Sequence, residues 1–150
     1  MPQQAAILAN SKTNPVLNLG ETKLVHLIPS EKTGCAFSVV EFFAEPGKGV
    51  GLHVHEHEEE LVYLLQGQIE VSLEGQKMTA TEGTCALLPR NIPHGFTNTG
   101  KTTVRLLAIL LPGKLDNFFV KLDEELSVNR DHEKIIGELC AKFGLSFPKA

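Results

Sequence analysis

The 150-residue sequence predicts an all-β domain, a sandwich or barrel of short antiparallel strands, closed by one C-terminal α-helix. Three observations carry that reading. Five apolar or β-branched runs, KLVHLIP (23–29), CAFSVVEFFAEPG (35–47), LVYLLQGQIEVSLEG (61–75), QKMTATEG (76–83) and TTVRLLAILLPG (102–113), each end in Gly or Pro. VSLEGQKM has the pattern of a tight hairpin. The stretch DHEKIIGELCAKFG alone repeats with a helical period.

The elements follow in chain order. Residues 1–20, rich in Asn, Ser, Thr and Gln, read as an N-terminal arm. The barrel is expected over 24–112. Within it Val71 and Leu73 alternate with Ser72 and Glu74, Gly75 supplies a position that accepts positive φ, and Met78 resumes the apolar pattern, so the flanking strands pair antiparallel. The helix is expected over 131–143. Ile135, Ile136, Leu139, Cys140 and Phe143 share one face, Asp131 stands near the start, and Gly144 occupies the position of a C-cap glycine.

One domain is expected over 1–150, since a chain of this length buries roughly two thirds of its unfolded surface. A net charge of −4 with no Lys/Arg run argues against a nucleic-acid partner. There is no basic and apolar leader at the start and no uninterrupted apolar span of ~20 residues, which points away from a membrane and towards the cytoplasm. Cys35, Cys85 and Cys140 have neither disulfide-framework nor CxxC spacing and are expected to be reduced, buried thiols.

The stretch GKGVGLHVHEHEEELVYLLQG (47–67) holds three of the six histidines. On an extended backbone His53 and His55 project to one side, separated by two strand steps, roughly 6.6 Å of rise. Both can reach one ion. Glu60 has the opposite parity and joins them only if the chain turns between 56 and 59, where the run of five consecutive charged or His residues from 56 to 60 disfavours a buried strand. After that turn Glu60 starts the next strand with Val62 and Leu64 on its face, and Gly67 ends it. A fourth ligand is indicated by GTCALLPRNIPHGFTN, where His94 follows two prolines and shares a face with Phe96 and Asn98. His26 and His132 read as satisfied or solvated, and Glu58 and Glu59 as a solvated rim.

These residues resemble the two motifs of small single-domain cupins, of the kind that includes quercetin dioxygenase-like proteins. The first motif, Gly-x5-His-x-His-x3–4-Glu-x6-Gly, is met by Gly47, His53, His55, Glu60 and Gly67. The second, Gly-x5-Pro-x-Gly-x2-His-x3-Asn, is met by Gly83, Pro89, His94 and Asn98, with Asn91 where the family usually has glycine. Asn is the non-glycine residue that most readily takes the left-handed conformation, so the turn is expected to survive. The resemblance implies a jelly-roll β-barrel and a metal held by His53, His55, Glu60 and His94. His57 falls where similar proteins carry a histidine that does not ligate.

Three imidazoles and a carboxylate suit one divalent transition ion per chain, Fe, Mn, Ni, Cu or Zn, and suit Ca or Mg poorly. Open coordination positions permit catalysis, with Glu60 as general base for a bound hydroxyl. The apolar residues flanking the ligands suit a planar or aromatic enolic small molecule. Arg90 reads as a surface residue. Phe118 and Phe119 fall where many small cupins leave the last barrel strand, as lid or as packing. LVYLL (61–65) and LLAILL (106–111) are apolar at both parities, so both strand faces need cover, and a homodimer through the outer sheet is the expected remedy. Two function classes fit: a metal-dependent dioxygenase similar to quercetinase-type cupins, or a non-redox isomerase, lyase or ligand-binding protein on the same scaffold.

Overall fold

The computed structural model describes residues 4–128 and 131–148. The strands are β1 (Val16–Asn18), β2 (Lys23–Ile28), β3 (Ser38–Ala44), β4 (Gly49–His55), β5 (Glu59–Gln66), β6 (Gln68–Leu73), β7 (Gln76–Thr81), β8 (Cys85–Leu88), β9 (His94–Asn98) and β10 (Val104–Leu111). Helices α1 (Asp116–Val128) and α2 (His132–Phe143) follow, then β11 (Leu145–Ser146). One antiparallel sheet runs β1-β2-β3-β10-β5-β8 and the other β11-β4-β9-β6-β7. Together they make the jelly roll, with the C-terminal helix that the periodicity predicts.

The core lies between the sheets. β10 shows how: Val104, Leu106, Ala108 and Leu110 are buried, while Arg105, Leu107, Ile109 and Leu111 stand half-buried on the other face. They meet Leu24, Val40, Phe42 and Leu64 of the same sheet and Ile69 and Ala80 of the other. Each fully buried aliphatic side chain contributes about 1.5–3 kcal/mol. Gly67 hands the chain from one sheet to the other at φ +93°, with a backbone so close to Val104 that a Cβ would stand 2.6 Å from its Cγ1. The run 61–75 is therefore two strands in different sheets. The hairpin forms as the sequence predicts, Leu73 facing Gln76 across Glu74 (φ 50°) and Gly75 (φ 77°).

Two features extend the sequence reading. Part of the arm is ordered as β1, which pairs with β2; residues 1–3 of the arm lie outside the described residues. The stretch after β10 is a second helix, α1, which buries Phe118, Phe119 and Leu122 and packs on α2. One expectation is corrected: of the three free cysteines only Cys140 is buried, whereas Cys35 is half-buried and Cys85, on the outer face opposite Tyr63, is exposed. In α2, Asp131 accepts from Lys134 N and Gly144 closes the helix in the left-handed conformation.

α1 is pinned at its first residue. Asp116, 2 % exposed, accepts from His26 Nε2 (2.8 Å), Ser30 N (2.7 Å) and Ser30 Oγ (2.7 Å). His26 is thus a satisfied histidine. Burial alone would raise the Asp116 carboxyl, but these donors outweigh it and hold it below its ordinary value of 3.8. A carboxyl depressed in the folded state stabilises above the unfolded value, and that contribution disappears as pH falls below 3.8 through the folded value. Asp116→Asn is expected to cost about 1.5–3 kcal/mol at pH 7 and to flatten the acid limb of stability, which urea titrations from pH 7 to pH 3 will measure. Equal acid limbs in the two proteins would contradict it.

Candidate metal centre

Four side chains from three strands meet at one end of the barrel. β4 carries His53 and His55 on one face, β9 pairs with it so that His94 lies opposite His53, and β5 brings Glu60 from the other sheet. Residues 56–58 make the turn that reverses the parity of Glu60, as its charge density predicts. Gly49 lets the two strands approach: a Cβ there would stand 2.0 Å from Phe96 O. Asn91 takes the left-handed conformation (φ 63°) and its N–H donates to His55 O at 2.9 Å, so the departure from glycine leaves the turn intact and ties it to β4. Asn98 is buried; its amide donates to Ala44 O and Thr102 O and its Oδ1 accepts from Gly100 N, which makes it a fastener of the turn into β10.

The tautomers follow from the backbone. A carbonyl only accepts, so His53 Nδ1–H donates to Gly51 O (2.8 Å) and His94 Nδ1–H donates to Ile92 O (2.9 Å). Each Nε2 then turns a lone pair inward. His53 Nε2 and His55 Nε2 are 3.0 Å apart, the candidate ligand atoms of His53, His55 and His94 all lie within 4.8 Å of one another, and Glu60 Oε2 is 3.6 Å from His55 Nε2 and 3.5 Å from His94 Nε2. Two nitrogens bound to one ion at about 2.1 Å sit roughly 3.0–3.4 Å apart, so the spacing suits a shared cation. The donor set has an unmet demand as well: His55 Nδ1 and His94 Nε2 are buried without a hydrogen-bond partner.

Electrostatics favours the ligating forms of His53, His55 and Glu60. Burial, opposed by Glu60 and aided by the other histidines, pushes His55 down to about 4, and burial with His94 beside it lowers His53. Both are neutral at pH 7. Burial works against charge on Glu60 too, but His94 and His55 outweigh it and hold the carboxyl below the usual range, while His94, despite burial, is raised by Glu60. An ionised carboxylate among imidazoles is a hard oxygen donor and a proton acceptor at once.

Glu58 departs from the expected solvated rim. It is 5 % exposed, its Oε2 has no hydrogen-bond partner, and burial raises its carboxyl against the pull of His57 and Arg90. Glu59 is exposed as expected. His57 lies outside the cluster, exposed beside Glu56 at 3.7 Å, and Arg90 is exposed and does not line the cavity.

The cluster closes one part of a cavity of about 360 Å³ whose remaining wall is mostly apolar, with Glu21, Thr22 and Thr84 as its other polar residues. Val62, Leu64 and Phe96 line it as the sequence predicts. The helices supply further wall: Phe118 and Phe119, which the sequence placed at the exit of the last strand, and Leu115, Leu122 and Ile136, which sequence reasoning missed. Phe118 and Phe119 are packing: both are buried, meet edge to face at 5.7 Å, and Phe119 meets Phe42 in the same way at 5.5 Å.

Comparison with known proteins agrees with this architecture. A family model described as "Cupin domain" matches residues 40–110. Protein SchB of Streptomyces halstedii is 30% identical over 110 residues, which cover 73% of this chain and 80% of that protein. Quercetin 2,3-dioxygenase of Bacillus subtilis is 28% identical over 87 residues, 58% of this chain but only 26% of that enzyme. Among solved structures, the polyketide cyclase RemF from Streptomyces resistomycificus superposes with a TM-score of 0.55 at 26% identity, over 74% of this chain and 78% of that one.

Proposed function

This chain belongs to the cupin superfamily, and from that premise we propose that it is a metal-dependent enzyme, a dioxygenase acting on a small apolar or aromatic enolic substrate. The observation that carries the reading is the convergence of three inward-facing imidazole nitrogens and the Glu60 carboxylate in an otherwise mostly apolar cavity. His53, His55, His94 and Glu60 would hold one divalent transition ion, which would supply Lewis-acid or redox chemistry at the substrate oxygen. The Gly51 and Ile92 carbonyls fix the His53 and His94 rings in their ligating orientation. Glu60, ionised at neutral pH, accepts the enolic proton and leaves the substrate oxygen anionic. The mostly apolar wall excludes water and orients the ring with few competing polar groups. Similarity to the polyketide cyclase RemF favours a second reading, non-redox cyclisation or isomerisation of an enolic substrate at the same centre. Oxygen uptake with a flavonol or other enediol supports the first reading; product formed without oxygen supports the second. Ligand-induced stabilisation without product would mark a binding protein.

We place the protein in the cytoplasm as a homodimer. No described helix is long and apolar enough to cross a membrane, and the free thiols accord with a reducing compartment. On the outer face of β5 and β8, Tyr63 (41 %), Leu65 (37 %) and Leu87 (58 %) are exposed beside half-buried Leu61, Leu107 and Ile109, an apolar surface that a second copy would cover. Leu87→Lys is expected to convert the dimer to monomer at micromolar concentration by light scattering with the fold unchanged. A wild-type monomer there would contradict the dimer.

A further inference from the structure

The cavity mouth carries an aromatic ring that none of the metal-site motif contains. β11 pairs antiparallel with β4, Leu145 opposite His55 and Ser146 opposite Val54, and Glu56 N–H donates to Gly144 O at 2.8 Å. The segment after α2 is thereby registered against the strand that bears His53 and His55. Leu145 anchors it, 9 % exposed, whereas Phe147 is 56 % exposed and still lines the cavity. Its ring centroid lies 6.2 Å from that of His53, tilted by 42°. His53 is the least buried of the three histidines, so Phe147 flanks the open side of the cluster.

We propose that Phe147 is a specificity-determining residue, an aromatic face at the cavity mouth that positions a planar aromatic ligand bound beside His53; this rests on the metal-centre reading above. A ring held beside His53 falls within the 4.5–7 Å over which aromatic pairs attract, and covers an apolar surface that water otherwise touches. The deeper rings that line the cavity, Phe42, Phe118 and Phe119, are buried in the core, whereas Phe147 is the exposed ring on the His53 side. The pairing of Leu145 and Ser146 with β4 holds the backbone immediately before Phe147, so the selectivity of its ring is for planarity as well as for apolarity.

The test compares two bidentate oxygen chelators on the Zn(II)-loaded protein, which cannot oxidise them: 4-nitrocatechol, which is planar and aromatic, and acetohydroxamate, which is not. Phe147→Ala is expected to weaken 4-nitrocatechol about tenfold and to leave acetohydroxamate and zinc content unchanged, with Phe147→Leu intermediate and Phe147→Tyr restoring wild-type affinity. Equal weakening of both chelators, or of neither, in variants that retain zinc overturns the role of Phe147 and leaves the metal centre standing. A wild-type protein that takes up no zinc and binds neither chelator overturns the metal reading and this inference with it.

Discussion

Glu60→Gln is expected to retain the metal and to lose turnover by about 100- to 10 000-fold, the usual contribution of a positioned proton acceptor. The substitution preserves shape and an oxygen donor, and the three imidazoles that approach one another within 4.8 Å remain. What it removes is the charge that His94 and His55 keep on Glu60 in spite of its burial. Metal content per chain and kcat, measured on the same preparation, separate the two effects. A variant with both unchanged would exclude Glu60 as the base and reduce it to a neighbour of the site.

His94→Ala is expected to lower metal affinity by about 100-fold or more, since even the outer partners of metal ligands are worth about 10- to 100-fold. His94 brings β9 to the cluster, and its Nε2 is buried with no hydrogen-bond partner, so truncation removes a donor that nothing else in reach replaces. Stability of the metal-free protein is expected to change far less, because the Ile92 carbonyl that loses its donor lies in a turn also held by Ile92 N–H to Pro89 O. Metal titration and thermal melts of the metal-free form give the two numbers. Loss of fold in parallel with loss of metal would assign His94 a structural role instead.

The convergence of His53, His55, Glu60 and His94 was legible because its determinants are local. Alternation places His53 with His55, charge density forces the turn that turns Glu60 inward, and the two prolines before His94 announce the start of β9. Asn91 was legible for the same reason, through its tolerance of positive φ. α1 was not, since Phe118, Phe119 and Leu122 make only a partial stripe among acidic residues and vicinal phenylalanines favour strand as readily as helix. Its docking on the barrel is a long-range event, and with it came Leu115 and Leu122 of the cavity wall. Glu58 was hidden by composition: a carboxylate amid charged neighbours reads as solvated, yet the turn that delivers Glu60 buries it. Phe147 gave no periodic signal at all, because it follows a strand of only two residues, too short to show one.

Metal analysis of the untagged wild-type protein tests the central claim most directly. Close to one divalent transition ion per chain is expected, on purification or after anaerobic reconstitution, with its identity deciding between oxygen chemistry and Lewis-acid chemistry. No bound metal under either condition would contradict the four-ligand centre and leave the apolar cavity as a plain binding site.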